Sequence, residues 1–331
     1  MAEHPFFDPE VAQRLAVTPL VARGSKLGTV SGRHQSPHRG SSVEFAQYRR
    51  YQPGDDLRRL DWRAYGRSER YYVKEFDADT NLRLVLVVDS SGSMGYSNRL
   101  LLTQQIASTL AFMAVAQGDA AGLLTTNQPR QQTRTESPAA DSMQGFNFLP
   151  PRRAADQVSI LFDRLAQLKP SGESNVPAAL HHLAQTVRQR AMVVIISDLL
   201  FPPQAMRPAL EHLGHSKHDV VLLQLADPEE LQPRWNRPVR LLDMENDQTY
   251  SVDPDQVAHD YRQAYDHHLQ QLRDIAADTG IDYQLMVQDQ SLEELLSTLL
   301  AKRASAGGAS VGPAGPASGP ASGPADRGKE F

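Results

Sequence analysis

Leu84-Val85-Leu86-Val87-Val88-Asp89-Ser90-Ser91-Gly92-Ser93-Met94 is the stretch that decides how this chain of 331 residues folds. Its first half is an unbroken apolar run with no polar alternation. That is the pattern of a central parallel strand covered on both faces. The run stops at an acidic residue and a Ser/Gly turn. Beyond it, residues 98–117 carry Leu102, Ile106, Leu110 and Met113 at helical spacing, with Gly118 as the stop signal.

The same alternation continues outward. A strand is predicted over 121–126, and the polar, turn-rich 127–148 reads as a long loop or an excursion at a sheet edge. Helices follow over 154–168, ended by Pro170, and over 176–190. Met192-Val193-Val194-Ile195-Ile196 is the strongest strand signal in the chain. Further strands are expected over 219–225 and 281–287, a hairpin over 240–252 turning at Asn246-Asp247, and helices over 255–278 and 292–302. Strands alternating with helices imply an α/β fold with a mostly parallel sheet and helices on both faces.

Three zones divide the chain: an Arg- and Tyr-rich segment over 1–80 with no long helical period, the α/β body over 81–303, and a tail over 304–331. The tail is Ala, Gly, Ser and Pro, with Gly-Pro-Ala recurring at Gly312, Gly315, Gly319 and Gly323. It lacks the large apolar side chains needed to offset the entropy of ordering, so no structure is expected there.

Hydrophobic residues make up 40% of the chain, enough for a sizeable core, and the formal net charge is -5. That balance disfavours a protein dedicated to nucleic acid. The arginines of 49–70 are interleaved with Asp55, Asp56, Asp61 and Glu69, which favours internal ion pairs over a basic docking face. Cysteine is absent, which excludes disulfides, thiolate metal sites and cysteine nucleophiles. Residues 1–15 show no basic start followed by an apolar run, and no uninterrupted apolar stretch has the length of a membrane span. A cytoplasmic chain without membrane insertion is the expectation.

In a sheet of this kind, ligands sit beyond the carboxyl ends of the strands, where strand order reverses. Asp89-Ser90-Ser91-Gly92-Ser93 follows the first strong strand and Ser197-Asp198 follows the strongest one. Between them lies the turn Gly172-Glu173-Ser174-Asn175. One carboxylate and two hydroxyls in alternate positions are hard oxygen donors suited to Mg²⁺ or Mn²⁺. The same residue types also suit a plain turn and a helix N-cap. There is no Gly-x-x-x-x-Gly-Lys-Ser/Thr phosphate loop and no Gly-x-Ser-x-Gly elbow. His212, His215 and His218, spaced by three, are expected to be exposed. His181-His182 and His267-His268 are adjacent pairs about 100° apart on their helices, unable to chelate together.

These residues resemble the metal-ion-dependent adhesion site of von Willebrand factor A domains. Asp89, Ser91 and Ser93 match its Asp-x-Ser-x-Ser element. Ser174 stands where that family has Thr, and Asp198 where it has its distal Asp. The resemblance implies a Rossmann-like von Willebrand factor A fold with Asp89, Ser91, Ser93, Ser174 and Asp198 holding one Mg²⁺ or Mn²⁺. A second signature precedes it: Gly40-x-x-x-Glu44-Phe45, Arg49-x-Tyr51-x-x-Gly54-Asp55-Asp56-x-Arg58-x-x-Asp61-Trp62 and Val73-Lys74-x-Phe76. With His218-Asp219-Val220, Asp227-Pro228-x-Glu230 and Ile281-Asp282-Tyr283, this is similar to the bacterial domain-of-unknown-function family 58, over about residues 25–303. That resemblance implies work beside MoxR-type AAA+ ATPases in assembly or maturation of other proteins. The expected function is therefore a non-enzymatic interaction module whose cation captures an acidic side chain of a protein partner, with nucleotide hydrolysis left to the ATPase. The alternative is a Mg²⁺-dependent hydrolase using the same carboxylates.

Overall fold

The computed structural model describes residues 4–23, 26–27, 34–35, 43–50, 62–68, 70–78, 82–126, 146–154, 156–233, 239–242, 244, 249–252 and 254–308. Gly40, the Gly54-Asp55-Asp56 motif, most of the 127–148 loop, the Asn246-Asp247 turn and the repeats of the tail lie outside the described residues.

The chain enters through α1 (Pro9–Leu15), whose N-cap Asp8 accepts the backbone N–H groups of Glu10 and Val11. Two short antiparallel pairs follow. The first joins β1 (Lys26–Leu27) to β2 (His34–Gln35), and the second joins β3 (Val43–Arg50) to β4 (Tyr72–Ala78), with α2 (Trp62–Ser68) between β3 and β4 in sequence. The N-terminal zone is thus β-containing, consistent with its lack of a long helical period.

The α/β body then runs β5 (Arg83–Val88), α3 (Arg99–Ala116), β6 (Ala120–Thr125), β7 (Asn147–Arg152), α4 (Gln157–Ala166), α5 (Val176–Thr186), β8 (Met192–Ser197), α6 (Met206–His215), β9 (Asp219–Ala226), α7 (Pro228–Leu231), β10 (Val239–Leu242), β11 (Thr249–Val252), α8 (Pro254–Thr279), β12 (Asp282–Val287) and α9 (Leu292–Gly308). Six strands form one sheet in the order β12-β9-β8-β5-β6-β7. All pairs are parallel except β6 with β7. The chain starts the sheet at β5, adds β6 to one side and then crosses back to β8 on the other. Strand order therefore reverses at β5, and the crevice between the carboxyl ends of β5 and β8 is the expected ligand position.

Alternation along β5 builds two cores. Leu84, Leu86 and Val88 face a cluster with Ile106, Leu110 and Met113 of α3, Leu161 of α4 and Leu296 of α9. Val85 and Val87 face the opposite cluster, with Leu180 and Leu183 of α5, Leu210 of α6 and Leu272 of α8. Because both faces are covered, the strand carries no polar position after Arg83, which opens it. α3 is the described helix with the length and apolarity of a membrane span, and it spends that apolarity inside the first core, 61% of it being buried.

Where β6 meets β7 the ladder slips between Ala121 and Leu123. Pro150 and Pro151 cannot donate there. The side-chain amide of Gln157, at the start of α4, donates instead to Ala121 O at 2.7 Å and Pro150 O at 3.0 Å. A methyl on Gly122 would stand 2.7 Å from both Leu149 O and Pro151 N, so only glycine admits this edge strand.

β7 is the element the sequence concealed, because two prolines argue against a strand; an antiparallel edge position tolerates them. Two helix ends also differ from expectation. α5 stops at Thr186, where Val187 turns to extended backbone, rather than running to 190. α9 continues past 303 to Gly308, since Ala304 and Ala306 favour helix once a packed helix precedes them.

Candidate functional site

Asp89 leaves the end of β5 fully buried, its N–H bonded to Ile196 O of β8 at 3.0 Å. Each carboxylate oxygen takes two hydrogen bonds. Oδ1 accepts from the Ser91 N–H at 3.0 Å and the Thr126 hydroxyl at 3.0 Å. Oδ2 accepts from the hydroxyls of Ser174 at 2.9 Å and Ser197 at 2.7 Å. Three loops and the last position of β8 therefore converge on one side chain. Backbone bonds hold two of them together: Gly92 N–H to Gly172 O at 2.8 Å, and Ser171 N–H to Ser90 O at 3.0 Å. Gly172 sits at φ +68, in the left-handed region, which lets its turn come so close.

The remaining expected residues join the same network. Ser91 and Ser93 hydroxyls lie 3.1 Å apart. Asp198, 1% exposed, accepts the Leu200 N–H at 3.3 Å. All five residues singled out in the sequence thus lie together, with Ser93 and Ser174 half-buried at the mouth and Asp89, Ser91 and Asp198 beneath. Glu173, beside Ser174, is exposed.

Arg99, the first residue of α3, was not anticipated. It is 1% exposed, and its Nη1 donates to Asp198 Oδ2 at 2.8 Å and to Ser93 O at 3.2 Å. Its Nη2 pairs with Glu230 of α7. The Tyr96 ring lies 5.3 Å below the guanidinium. Burial pushes the Asp198 carboxyl up, against the opposing pull of Arg99 and the hydrogen bonds from Ser93 and Leu200. One sequence signal did exist: an arginine at a helix N-terminus opposes the macrodipole and so asks for a carboxylate partner. Thr126 and Ser197, also missed, directly follow or close strands β6 and β8.

Asp89 is surrounded by oxygen donors and backbone N–H groups, with no imidazole among its partners. That donor chemistry fits a small hard dication better than zinc. Formal charges agree: Asp89, Asp198 and Glu230 against Arg99 leave two uncompensated negative charges, since three minus one is two. Among the described residues no group of three or more His, Asp or Glu gathers as a conventional metal centre. Exposed apolar side chains ring the mouth. Tyr96 and Leu200 stand on the loops that supply the site, and Met244 lies against Gly95.

The histidines went elsewhere. His218, expected at the surface, is buried, and its Nδ1 accepts the Ala191 N–H at 3.2 Å. His212 is half-buried, with its Nδ1 3.3 Å from that of His181 across α5 and α6.

A family model described as "Protein of unknown function DUF58" matches residues 47–274. The chain belongs to the DUF58 family. The match runs from the second half of β3 through β4, the sheet from β5 to β9 and most of α8, so it includes every residue of the Asp89 network. Relatives of this DUF58 chain include the uncharacterized protein Rv1480 of Mycobacterium tuberculosis (strain ATCC 25618 / H37Rv) and Mb1516 of Mycobacterium bovis. Each is 28% identical over 256 residues, covering 75% of both chains. Among solved structures, BatB from Bacteroides thetaiotaomicron is 14% identical with a TM-score of 0.40, over 68% of this chain and 100% of that one. An aerotolerance-related membrane protein from Bacteroides fragilis is 15% identical with a TM-score of 0.42, over 67% and 100%. The SpRpn10 VWA domain is 10% identical with a TM-score of 0.38, over 66% and 95%.

Proposed function

We propose that this DUF58 protein is a non-enzymatic, von Willebrand factor A-type interaction module that docks an acidic side chain of a protein partner at the Asp89 site through a Mg²⁺ or Mn²⁺ ion. The observation that carries this reading is the convergence of Ser91, Ser174, Ser197 and Thr126 on the buried Asp89 carboxylate at the carboxyl ends of the strands. Asp89, Ser91, Ser93 and Ser174 would hold the ion. Asp198, already engaged by Arg99, would act on it from beyond the direct ligands. The cation supplies an open, electron-poor position for a carboxylate. The protein's own part is orientation: backbone bonds between the 90–92 and 171–172 loops hold the hydroxyls in place before any ion arrives.

Partner contact extends beyond the ion. Tyr96, Leu200 and Met244 offer apolar surface around the mouth, the kind of anchor that supplies affinity at a protein interface. A MoxR-type AAA+ ATPase is the proposed partner, and the cytoplasm the proposed location.

Calorimetry with MgCl₂ and MnCl₂ on the wild type and Asp89→Ala tests the metal. Weak to moderate binding is expected for the wild type and none for the variant, with the far-UV CD spectrum retained. No heat in the wild type would refute the cation. Capture of a purified MoxR-type ATPase with and without chelator tests the partner, and the proposal expects retention only without chelator.

A further inference from the structure

A second site lies at the other end of the sheet. A cavity of about 750 Å³ opens between the N-terminal end of β5, the end of β7 and the segment that leaves α5. Its lining includes Arg83, Arg152, Arg164 and Arg188, an apolar wall from Phe148 and Pro151, and no carboxylate. Arg83 opens β5 and Asp89 follows its last residue, so the two sites stand roughly 20 Å apart at about 3.3 Å per residue.

A cavity in a chain of net charge -5 that gathers four arginines and no acid needs an explanation. Among the described residues, the other buried or half-buried arginines, Arg23, Arg99, Arg207 and Arg303, each pair with a carboxylate. None of the four cavity arginines pairs with a carboxylate among the described residues. Arg164 reaches only the neutral amide oxygen of Asn147. Burial alone holds its guanidinium below the usual value, with no acidic neighbour offsetting the effect. Two of the arginines sit near helix C-termini, Arg164 in the last turn of α4 and Arg188 just after α5. Favourable interaction with the helix dipoles accounts for part of their placement. It does not account for Arg83 on a strand or Arg152 on the edge strand converging on the same space.

We propose that this cavity binds a polyphosphorylated small molecule. Guanidinium groups present planar, paired donors that match phosphate oxygens, and several of them are needed to compensate a triphosphate. The volume falls in the range of pockets that take small ligands. The wall of Phe148 and Pro151 gives room for an apolar or planar part of such a ligand beside the phosphates. Inorganic polyphosphate and a nucleoside polyphosphate share the chemistry, and the experiment separates them.

The test is calorimetric titration of the intact chain at low salt, in chelator so that the Asp89 site plays no part. Tripolyphosphate, ATP and citrate are the probes. Tripolyphosphate and ATP should bind, and citrate should bind at least about tenfold more weakly. Equal affinity for the first two would assign the site to the phosphates alone; tighter ATP binding would add the apolar wall. Arg152→Ala with Arg188→Ala should weaken binding by about tenfold or more, while Arg152→Lys with Arg188→Lys restores part of it. Both arginines are exposed, so the melting temperature should barely change, and Asp89→Ala should bind as the wild type does. Absence of binding, citrate binding as tightly as tripolyphosphate, or a double alanine variant that melts lower yet binds unchanged would overturn the assignment.

Discussion

A single guanidinium governs the electrostatics of the Asp89 site. Arg99 is buried between Asp198 and Glu230, and removing it would leave two carboxylates facing each other in a dry setting. Breaking one side of a buried pair costs about 3–5 kcal/mol, more than the intact pair adds over an apolar replacement. Arg99→Ala should therefore lower the urea midpoint sharply, and adding Glu230→Gln should recover part of the loss. If the double variant is as unstable as the two single losses added together, Arg99 and Glu230 do not act as a pair. The same substitution removes a positive charge beside the proposed ion. Mg²⁺ should consequently raise the melting temperature of Arg99→Ala more than that of the wild type. The clustering of Asp89, Ser91, Ser93, Ser174 and Asp198 was legible because each lies just after a strand or within a turn at one rim of a parallel sheet. Arg99 was not, since its place at a helix N-terminus asks for a carboxylate without saying which, and its partner Asp198 is 99 residues away.

At the scale of elements, the strands and helices with strong periodicity were readable, and the edge of the sheet was not. β5 from Leu84 to Val88 and β8 from Met192 to Ile196 are apolar throughout because both faces are covered, and their sequence says so directly. β7 reads Asn147-Phe148-Leu149-Pro150-Pro151-Arg152, which no periodicity rule accepts as a strand. What makes it one is tertiary: Gly122 lets the backbone approach, and Gln157 supplies the donors that proline lacks. Gln157→Leu keeps the approximate volume but removes the side-chain donor from one buried and one half-buried carbonyl oxygen. Each such loss costs about 1–3 kcal/mol. The variant should be destabilised by about 2 kcal/mol or more in urea unfolding, with backbone amides of 147–152 losing hydrogen-exchange protection first. Unchanged protection in β7 would show that the edge strand is held by something other than this amide. The prolines have a further consequence: the outer edge offers few N–H groups to a second chain, which protects an exposed strand from pairing with copies of itself.

Across the whole molecule, the two ends of the described chain are clasped at the foot of the sheet, opposite the Asp89 site. Arg303 of α9 is buried against Asp219 and Asp282, at 2.6 Å from the latter, and donates to Val21 O at 2.9 Å. Asp219 in turn accepts the Arg23 N–H at 2.8 Å. Gln117 ties the N-terminal segment to α3 through Ala16 O, Thr18 O and the Leu20 N–H. His218 lies next to Asp219 in this clasp, and burial holds its imidazole below the usual value. His268 on α8 is lowered for the same reason. For both, the unfolded chain binds a proton more readily than the folded one. Their contribution is therefore fully present above the unfolded value near 6.5 and is lost as pH falls through it towards the folded values. Stability should be flat from about pH 8 to 7 and then decline, with a slope that can approach about 1.4 kcal/mol per pH unit for each histidine. His218→Asn keeps an acceptor near the Nδ1 position for the Ala191 N–H but cannot titrate. Combined with His268→Gln, it should flatten the decline between pH 7 and 5.5. A decline that persists unchanged in the double variant would place the acid sensitivity outside these two side chains.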